Sequence, residues 1–464
     1  MKPVISNNSF LKKYVVPNKR SLDYMLNTKL YNVSEGPIRA GKTDDNIVSF
    51  CMELDESPDM IYLAIAPTQS SSKTILFDGE GLGIKHFPEW QARTEMIDGK
   101  KVKFRQRIFE GKYEGSDALI LLPKYKSGQS TKYIVAFGGN KSNSHEPYKG
   151  WSVGMFIATQ WELLHLNTRD ELLKRTALSR HRKHFTDLNP ISPKADIYKQ
   201  IARWQATGQL NYIKKTMLDN PIMTPERIEE IKAEYDPDSI VYKRDILGER
   251  VAAEGLIYRL RDYNILKESE FRAEDYVEYV IVADPGINAS ATAFCLLGIT
   301  RGYRYVDVIL DYNHKNEDKA GLAIKMPSDY VMDYFDFIKG SKKKMNKSPR
   351  DVYSDLDLTF KREYERLQWT NGVQDQLRNA IKDEIVDRIK TDINLLYKGR
   401  LRFYENCVST IESFRTAQYD PKLSDKGVYV RYDSPVDGTM IDNIDNVEYG
   451  IRAFRYELSL YKGV

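Results

Sequence analysis

Short apolar runs separated by polar segments recur along the first 215 residues. Runs of this kind, bounded by Gly, Pro or Ser, are typical of the central strands of an α/β sheet. The runs lie at residues 60–66, 132–137, 154–158 and 184–188. Helices are predicted at 163–178 and 225–235. The alternation of strands and helices predicts an α/β domain.

A second strand pattern begins after residue 270. Its first three runs follow one another closely, so they predict strands that pair antiparallel. The predicted strands are 278–286, 291–297, 303–310 and 351–355. A helix is predicted at 446–461, and the lysine-rich stretch 342–347 is predicted to be an exposed loop.

The segment between these patterns is rich in turn signals. Asp219-Asn220-Pro221 and Thr224-Pro225 are typical of turns and helix starts. We therefore predict three parts: an α/β domain over residues 1–215, a connector over 216–270, and a second α/β domain over 271–464.

Composition narrows the functional class. The 464 residues are 41% hydrophobic, which is enough for packed cores, and 70 Lys and Arg against 66 Asp and Glu give a net charge of +4. That charge excludes coating of DNA by bulk charge but allows local basic grooves. Three separated cysteines without a CxxC pair argue against a disulfide framework or a structural zinc site. With no apolar run of about 18 residues and no leader, we expect a soluble intracellular protein.

Residues 36–43 fit the phosphate-loop pattern GxxxxGK[ST] at every fixed position. Gly36 and Gly41 allow backbone N–H groups to turn towards phosphate oxygens. Lys42 is expected to reach the β- and γ-phosphates, and the Thr43 hydroxyl is expected to bind Mg²⁺. A helix predicted at 43–52 would direct its positive end at the same anion.

A phosphate-loop enzyme also needs an acidic pair after a later strand, to hold Mg²⁺ and to activate water. The best strand, 154–158, is followed by Thr159-Gln160-Trp161-Glu162, so the expected pair is missing. Gln160 cannot accept a proton. Glu162 either replaces the base or is an ordinary acid in the first turn of a helix.

Several longer strings carry a family resemblance. They are Lys149-Gly150-Trp151 before the 154–158 strand, Asp187-Leu188-Asn189-Pro190-Ile191-Ser192-Pro193, Asp219-Asn220-Pro221, and residues 248–258. Because these strings occur in this order, the chain resembles the large terminase subunit of tailed bacteriophages, the ATP-driven DNA-packaging motor. The resemblance runs from about residue 30 to 456. The resemblance implies a P-loop, RecA-like ATPase domain followed by an RNase H-like domain.

The resemblance also implies roles in the ATPase site. Gly36, Gly41, Lys42 and Thr43 match the ATP loop, and Asn189 matches the residue that senses the γ-phosphate and couples hydrolysis to movement. Thr159 and Gln160 stand where the family has Asp and Glu, through natural divergence or through a substitution that traps bound ATP.

Three arginines are candidates for stabilising transition-state charge. Arg39 lies inside the loop and faces either the γ-phosphate or solvent. Arg175 and Arg180 belong to the basic run 175–183, which is either the source of an arginine finger or a solvated or DNA-facing helix.

The resemblance further implies a nuclease site, active or vestigial. Asp284, Asp355 and Asp445 match acids that hold two Mg²⁺ or Mn²⁺ ions for phosphodiester cleavage. Asp442 and Glu448 compete with Asp445 for the third position.

We therefore expect a motor that moves double-stranded viral DNA into a procapsid. The alternatives are a nucleotide-binding scaffold that docks on the portal with little hydrolysis, and a P-loop helicase or repair ATPase, which the coupling and connector strings disfavour. Expected partners are DNA, the capsid portal protein, a small terminase subunit and further copies in a ring, in the host cytoplasm and transiently at the procapsid portal. The basic stretches 100–107 and 342–347 are candidates for phosphate contacts with DNA.

Overall fold

The computed structural model describes residues 18–97, 99–124, 127–286, 291–315, 324–425, 427–432 and 442–460. They divide into two compact units. The first consists of the described residues up to Ala233 together with Ile240–Ala252, and the second of Glu234–Ser239 and the described residues from Ala253 onward. The segment predicted as a connector, 216–270, is thus shared between the two units.

The first unit alternates strands and helices as the sequence predicts. Its strands are β1 (Tyr31–Glu35), β2 (Ile61–Ala66), β3 (Arg93–Ile97), β4 (Lys100–Phe104), β5 (Ile108–Tyr113), β6 (Ser116–Leu121), β7 (Lys132–Gly138), β8 (Met155–Ala158), β9 (Lys183–Leu188) and β10 (Leu210–Lys214). Its α-helices are α1 (Lys19–Leu26), α2 (Lys42–Glu56), α3 (Gln69–Ser71), α4 (Leu166–Arg175), α5 (Asp196–Ala206) and α6 (Pro225–Lys232).

Eight of these strands form one sheet in the order β10-β1-β9-β8-β2-β7-β6-β5. The strands from β10 to β7 are parallel, and β6 and β5 add an antiparallel edge. This is the RecA-like arrangement. Because parallel strands end at the same edge, the residues that follow β1, β8 and β9 lie side by side there.

Helix α2 anchors the phosphate loop to the core of this sheet. Its apolar side chains at helical spacing, Ile47, Phe50, Cys51 and Leu54, are all buried. Phe50 packs edge-on against Phe185 of β9, with ring centroids 5.8 Å apart. Burying a side chain of this size contributes about 1.5–3 kcal/mol, so the start of the helix is held firmly beside the sheet edge.

The second unit is built on a seven-stranded sheet in the order β11-β17-β14-β13-β12-β15-β16. The strands are β11 (Ile265–Leu266), β12 (Tyr276–Asp284), β13 (Thr292–Thr300), β14 (Val306–His314), β15 (Asp351–Ser354), β16 (Leu377–Asn379) and β17 (Leu401–Tyr404). The helices are α7 (Pro327–Met345), α8 (Leu358–Leu367), α9 (Ile385–Tyr397), α10 (Val408–Thr416), α11 (Pro421–Ser424), α12 (Asp442–Ala453) and α13 (Arg455–Leu460).

The topology of this sheet is RNase H-like. Strands β12, β13 and β14 form the predicted antiparallel meander, and β15 and β16 continue the sheet parallel to β12. Helix α12 lies against β12 and β13. It can approach closely because Gly450 has no side chain: a Cβ there would stand 2.5 Å from Leu297 Cδ1.

The prediction of an exposed loop at 342–347 is wrong. The first four of these residues form the last turn of α7, and Asn346 caps the helix with a left-handed φ of 50°. Buried residues continue at helical spacing through Ser341 and Met345 and bind the turn to the unit. The three lysines of that turn lie beside the negative end of the helix dipole, which they stabilise.

Membrane spans are absent from the described part of the chain: none of its helices combines the length and apolar character needed to cross a bilayer.

Candidate functional site

The phosphate loop joins β1 to α2. Gly36 is required by close packing, since a Cβ there would stand 2.6 Å from the carbonyl oxygen of Lys215. Gly41 precedes the helix with a left-handed φ of 70°. The segment after β10 is hydrogen-bonded to the loop. Lys215 Nζ donates to the Gly41 carbonyl at 3.0 Å, and Asn220 Nδ2 donates to the Arg39 carbonyl at 2.7 Å. The loop is therefore pre-shaped.

Lys42 is buried at the start of α2, with 8% of its surface exposed. Its ammonium donates to the Pro37 carbonyl at 2.6 Å and to Asn189 Oδ1 at 3.1 Å. Burial lowers its pKa, and the nearby carboxylates of Asp187 and Glu162 oppose that effect. The side chain is thus a buried cation facing two acids.

Asp187 lies at the end of β9 and is 2% exposed. Its Oδ1 accepts a hydrogen bond from the Thr159 hydroxyl at 2.9 Å and one from the Gln160 backbone N–H at 3.1 Å. Burial raises the pKa of the carboxyl, while Lys42 and the hydroxyl of Thr43 lower it. Asp187 is therefore close to both candidate residues at the start of α2, Lys42 and Thr43.

Glu162 lies in a short helical turn after β8. Asn189 Nδ2 donates to its Oε1 at 3.0 Å. Its other oxygen, Oε2, is inaccessible to solvent and has no hydrogen-bond partner among the described residues. Burial raises the pKa of Glu162 to about 7, and the charge of Lys42 opposes the rise. A carboxyl with this pKa is suited to accept a proton near neutral pH.

Asn189 joins these groups into one site. Its amide oxygen accepts from Lys42 and its amide nitrogen donates to Glu162. Gln160 is not part of this linkage, and its backbone adopts a left-handed φ of 53°.

The three candidate arginines are placed differently. Arg39 is exposed in the phosphate loop. Arg175 pairs with Glu171 of its own helix at 2.9 Å, and Arg180 is exposed. Both precede the start of the six-residue strand β9, whereas the phosphate loop lies beyond its end. The Arg175 carbonyl accepts from the Val153 N–H ahead of β8, and Ser179, next to Arg180, donates to Asp59 ahead of β2, so both arginines lie at the opposite edge of the sheet. The chain does not bring them to its own phosphate loop.

In the second unit, Asp284 ends β12 and its carboxyl is the focus of an acidic cluster. Burial raises its pKa well above the ordinary value, and the charges of Asp445, Asp442 and Asp355 raise it further. The three acids that the sequence singled out, and the competitor Asp442, therefore share one electrostatic environment at one end of the sheet.

Basic side chains form ion pairs with two acids of this cluster. Asp355 pairs with Lys382 at 2.6 Å, and Asp445 pairs with Arg388 at 2.9 Å and with Arg431 at 2.5 Å.

The competitor Glu448 is buried against the same two arginines. Among the described residues, no three His, Cys, Asp or Glu side chains stand close enough to form a metal site. Metal binding there would require these ion pairs to open.

Comparison with known proteins gives matches in structure only. Neither the family models nor the curated proteins contain a match to this chain. A large terminase from a thermophilic bacteriophage aligns over 95% of this chain and 99% of its own, with a TM-score of 0.72 and 18% identity. The complexes of that terminase with ADP and with ATP-γ-S align over 94% and 93% of this chain and 99% and 98% of theirs, with TM-scores of 0.69 and 0.68 and 18% identity. The chain shares the fold of these large terminases.

Proposed function

We propose that this chain is an ATP-driven motor of the large-terminase kind, which moves double-stranded viral DNA into a procapsid. The observation that carries the proposal is the linkage of Lys42, Asn189 and Glu162 at the end of a pre-shaped phosphate loop. Shared fold over nearly the whole chain supports it, together with the nucleotide complexes of the thermophilic phage terminase.

The geometry suits hydrolysis of a nucleoside triphosphate. Backbone N–H groups of the loop and the positive end of α2 bind the phosphates, and Lys42 turns from its loop carbonyl towards them. Thr43 offers the hydroxyl for Mg²⁺, which neutralises phosphate charge when bound. Glu162 takes the proton of the attacking water.

Coupling to movement follows from the two bonds of Asn189. When Lys42 moves to a phosphate, Asn189 loses that partner and can shift the loop that follows β9. A change in the bound nucleotide therefore alters the contacts of Glu162 and of the segment 189–193 through the side chain of Asn189.

The rival proposal is a portal-docking scaffold with little hydrolysis, which the Thr159-Gln160 pair favours. The position of Glu162 beside Asn189, with a pKa raised to about 7, argues against the scaffold. A DNA-stimulated ATPase assay of the full chain, beside Gln160→Glu, decides: turnover that Gln160→Glu does not raise supports the motor with Glu162 as base. Turnover at background that Gln160→Glu restores supports the scaffold.

The proposed partners follow from the motor role. They are double-stranded DNA, the capsid portal protein, a small terminase subunit and further copies of this chain in a ring, in the host cytoplasm and transiently at the portal.

The β3–β4 ribbon offers a surface for DNA. Lys101 and Lys103 stand opposite Met96 and Thr94 on one exposed face. Neither lysine forms an ion pair with any residue that the structure describes. Contacts from such a face to phosphates are independent of base sequence, which a packaging motor requires.

Replacing Lys101 and Lys103 with Ala should weaken binding to a random duplex. It should also make the slope of log K against log salt shallower by up to about 1.8, or about 0.9 for each phosphate contact. Fluorescence anisotropy at several salt concentrations measures both effects. The matched control replaces Lys199 and Lys232, which pair with acids on helix surfaces. Equal losses in both double variants would contradict a specific role for the ribbon.

The acidic cluster supports a second candidate activity, metal-dependent endonuclease. We expect Mn²⁺ to raise the melting temperature of the full chain by mass action on the folded state, and plasmid DNA to be cleaved with Mn²⁺. Asp284→Asn should remove both effects, whereas Asp387→Asn, an exposed acid of the same unit, should remove neither. Stabilisation without cleavage would indicate a vestigial site, and cleavage that persists in Asp284→Asn would place the nuclease elsewhere.

A further inference from the structure

Strands β8 and β9 are neighbours in register at the nucleotide edge. Ala158, the last residue of β8, stands beside Thr186 of β9, so Thr159 and Asp187 follow at the same level. The acid that the first strand lacks is thus present one strand away. The hydrogen bond from Thr159 to Asp187, at 2.9 Å, joins the two positions directly.

The two carboxylate oxygens of Asp187 have different surroundings. Its Oδ1 is used by Thr159 and by the Gln160 backbone. Its Oδ2 is inaccessible to solvent and has no hydrogen-bond partner of standard geometry within the described residues. A buried carboxylate oxygen without a partner is uncommon in folded proteins and needs an explanation.

The groups around Asp187 suit a divalent cation that arrives with phosphates. Its carboxyl is close to the Thr43 hydroxyl, the side chain that a phosphate loop offers to Mg²⁺. Carboxylate and hydroxyl oxygens are hard ligands of the kind that Mg²⁺ prefers. The residues present therefore fit the ion that accompanies ATP.

We propose that Asp187, on β9, supplies the carboxylate that holds the Mg²⁺ of bound MgATP together with Thr43, in place of the acid missing at position 159. The inference rests on the proposed ATPase function. It also accounts for Thr159: a hydroxyl donates to the Asp187 carboxylate and fixes its orientation, whereas an aspartate there would repel it.

The competing explanation is structural, namely that Asp187 only ties down the turn after β8. Asp187→Asn separates the two. Its amide oxygen can still accept from Thr159 and Gln160, so the structural bonds are kept. The anionic oxygen is replaced by an amide nitrogen, which cannot bind a cation.

The test uses the full chain and a fluorescent ATP analogue, and measures the ratio of its dissociation constants in EDTA and in Mg²⁺. The wild-type chain should bind at least about tenfold more tightly with Mg²⁺, because even the loss of a residue that only supports a metal's ligands typically costs about 10- to 100-fold in metal affinity. Asp187→Asn should bring the ratio close to one without weakening binding in EDTA. A ratio that Asp187→Asn leaves unchanged would overturn the inference.

A swap variant, Thr159→Asp with Asp187→Thr, provides the second arm. It returns the acid to β8 and keeps one hydroxyl and one carboxyl in contact, so it should recover the Mg²⁺ dependence that Asp187→Thr alone loses. Should Asp187→Asn fail to fold, judged by circular dichroism, a folded swap variant without Mg²⁺ dependence would overturn the inference. A wild-type chain that binds no nucleotide under either condition would instead refute the proposed ATPase function.

Discussion

Replacing Glu162 with Gln should lower ATP turnover about 10²- to 10⁴-fold, the usual loss when one positioned general base is removed. Nucleotide affinity should change little, because the amide keeps an oxygen that can accept from Asn189 Nδ2. Single-turnover hydrolysis and equilibrium binding of a fluorescent ATP analogue measure the two quantities separately.

The pH dependence of turnover gives an independent check. Burial raises the pKa of Glu162 to about 7, and a base works only when deprotonated. Turnover should therefore rise as the pH increases through about 7 and fall below it. The charged groups facing Glu162 are Lys42 on α2, Asp187 on β9 and Arg169 on α4, and the neutral amide of Asn189 also contacts it.

Gln160 provides the matched control for this assignment. Gln160→Ala removes a side chain next to the same turn but keeps the backbone N–H that bonds Asp187. It should leave the pH profile unchanged. Turnover that survives Glu162→Gln and depends on position 160 would contradict the assignment of Glu162 as base.

Much of the fold could be predicted from sequence because its central strands are buried on both faces. The apolar runs at 60–66, 132–137 and 184–188 match β2, β7 and β9 to within one residue. The phosphate loop was equally visible, since its chemistry depends on consecutive residues.

Glu162 and Asn189 of the proposed nucleotide site were candidates from the sequence, but the place of Asp187 in it could not be predicted because it depends on pairing between strands. A linear pattern looks for an acid directly after β8, where the sequence has Thr159 and Gln160. The position of Asp187 beside them appears only once β9 is placed next to β8. Its signals in the sequence were its place at the end of an apolar run and at the head of the string 187–193, and neither indicated a role in holding a metal ion.

In the second unit the family resemblance pointed to acids that share one electrostatic environment, but their basic partners could not be predicted. Asp284, Asp355 and Asp445 are recognisable at element ends. Asp445 pairs with Arg388 and Arg431. Arg388 lies far from it in the chain, and Arg431 belongs to a segment without a recognisable pattern. Such long-range ion pairs leave no local sequence signal.

Replacing Lys42 with Ala should weaken nucleotide binding about 10- to 150-fold, equivalent to about 1.5–3 kcal/mol for a hydrogen bond to a charged group. The physical reason is that Lys42 is the buried cation at the phosphate end of α2, and it already faces the loop through the Pro37 carbonyl. Isothermal titration with ATP and Mg²⁺ measures the affinity.

Two further variants make this result interpretable. Lys42→Met keeps the apolar stem and removes only the charge, so it should lose as much affinity as Lys42→Ala while packing more closely to the original. Lys199→Ala removes a lysine from an exposed helix pair with Asp196 and should not change affinity. If both Lys42 variants fold and bind ATP as tightly as the wild-type chain, the phosphate loop does not bind nucleotide. The ammonium would then serve only to offset the buried carboxylates of Asp187 and Glu162.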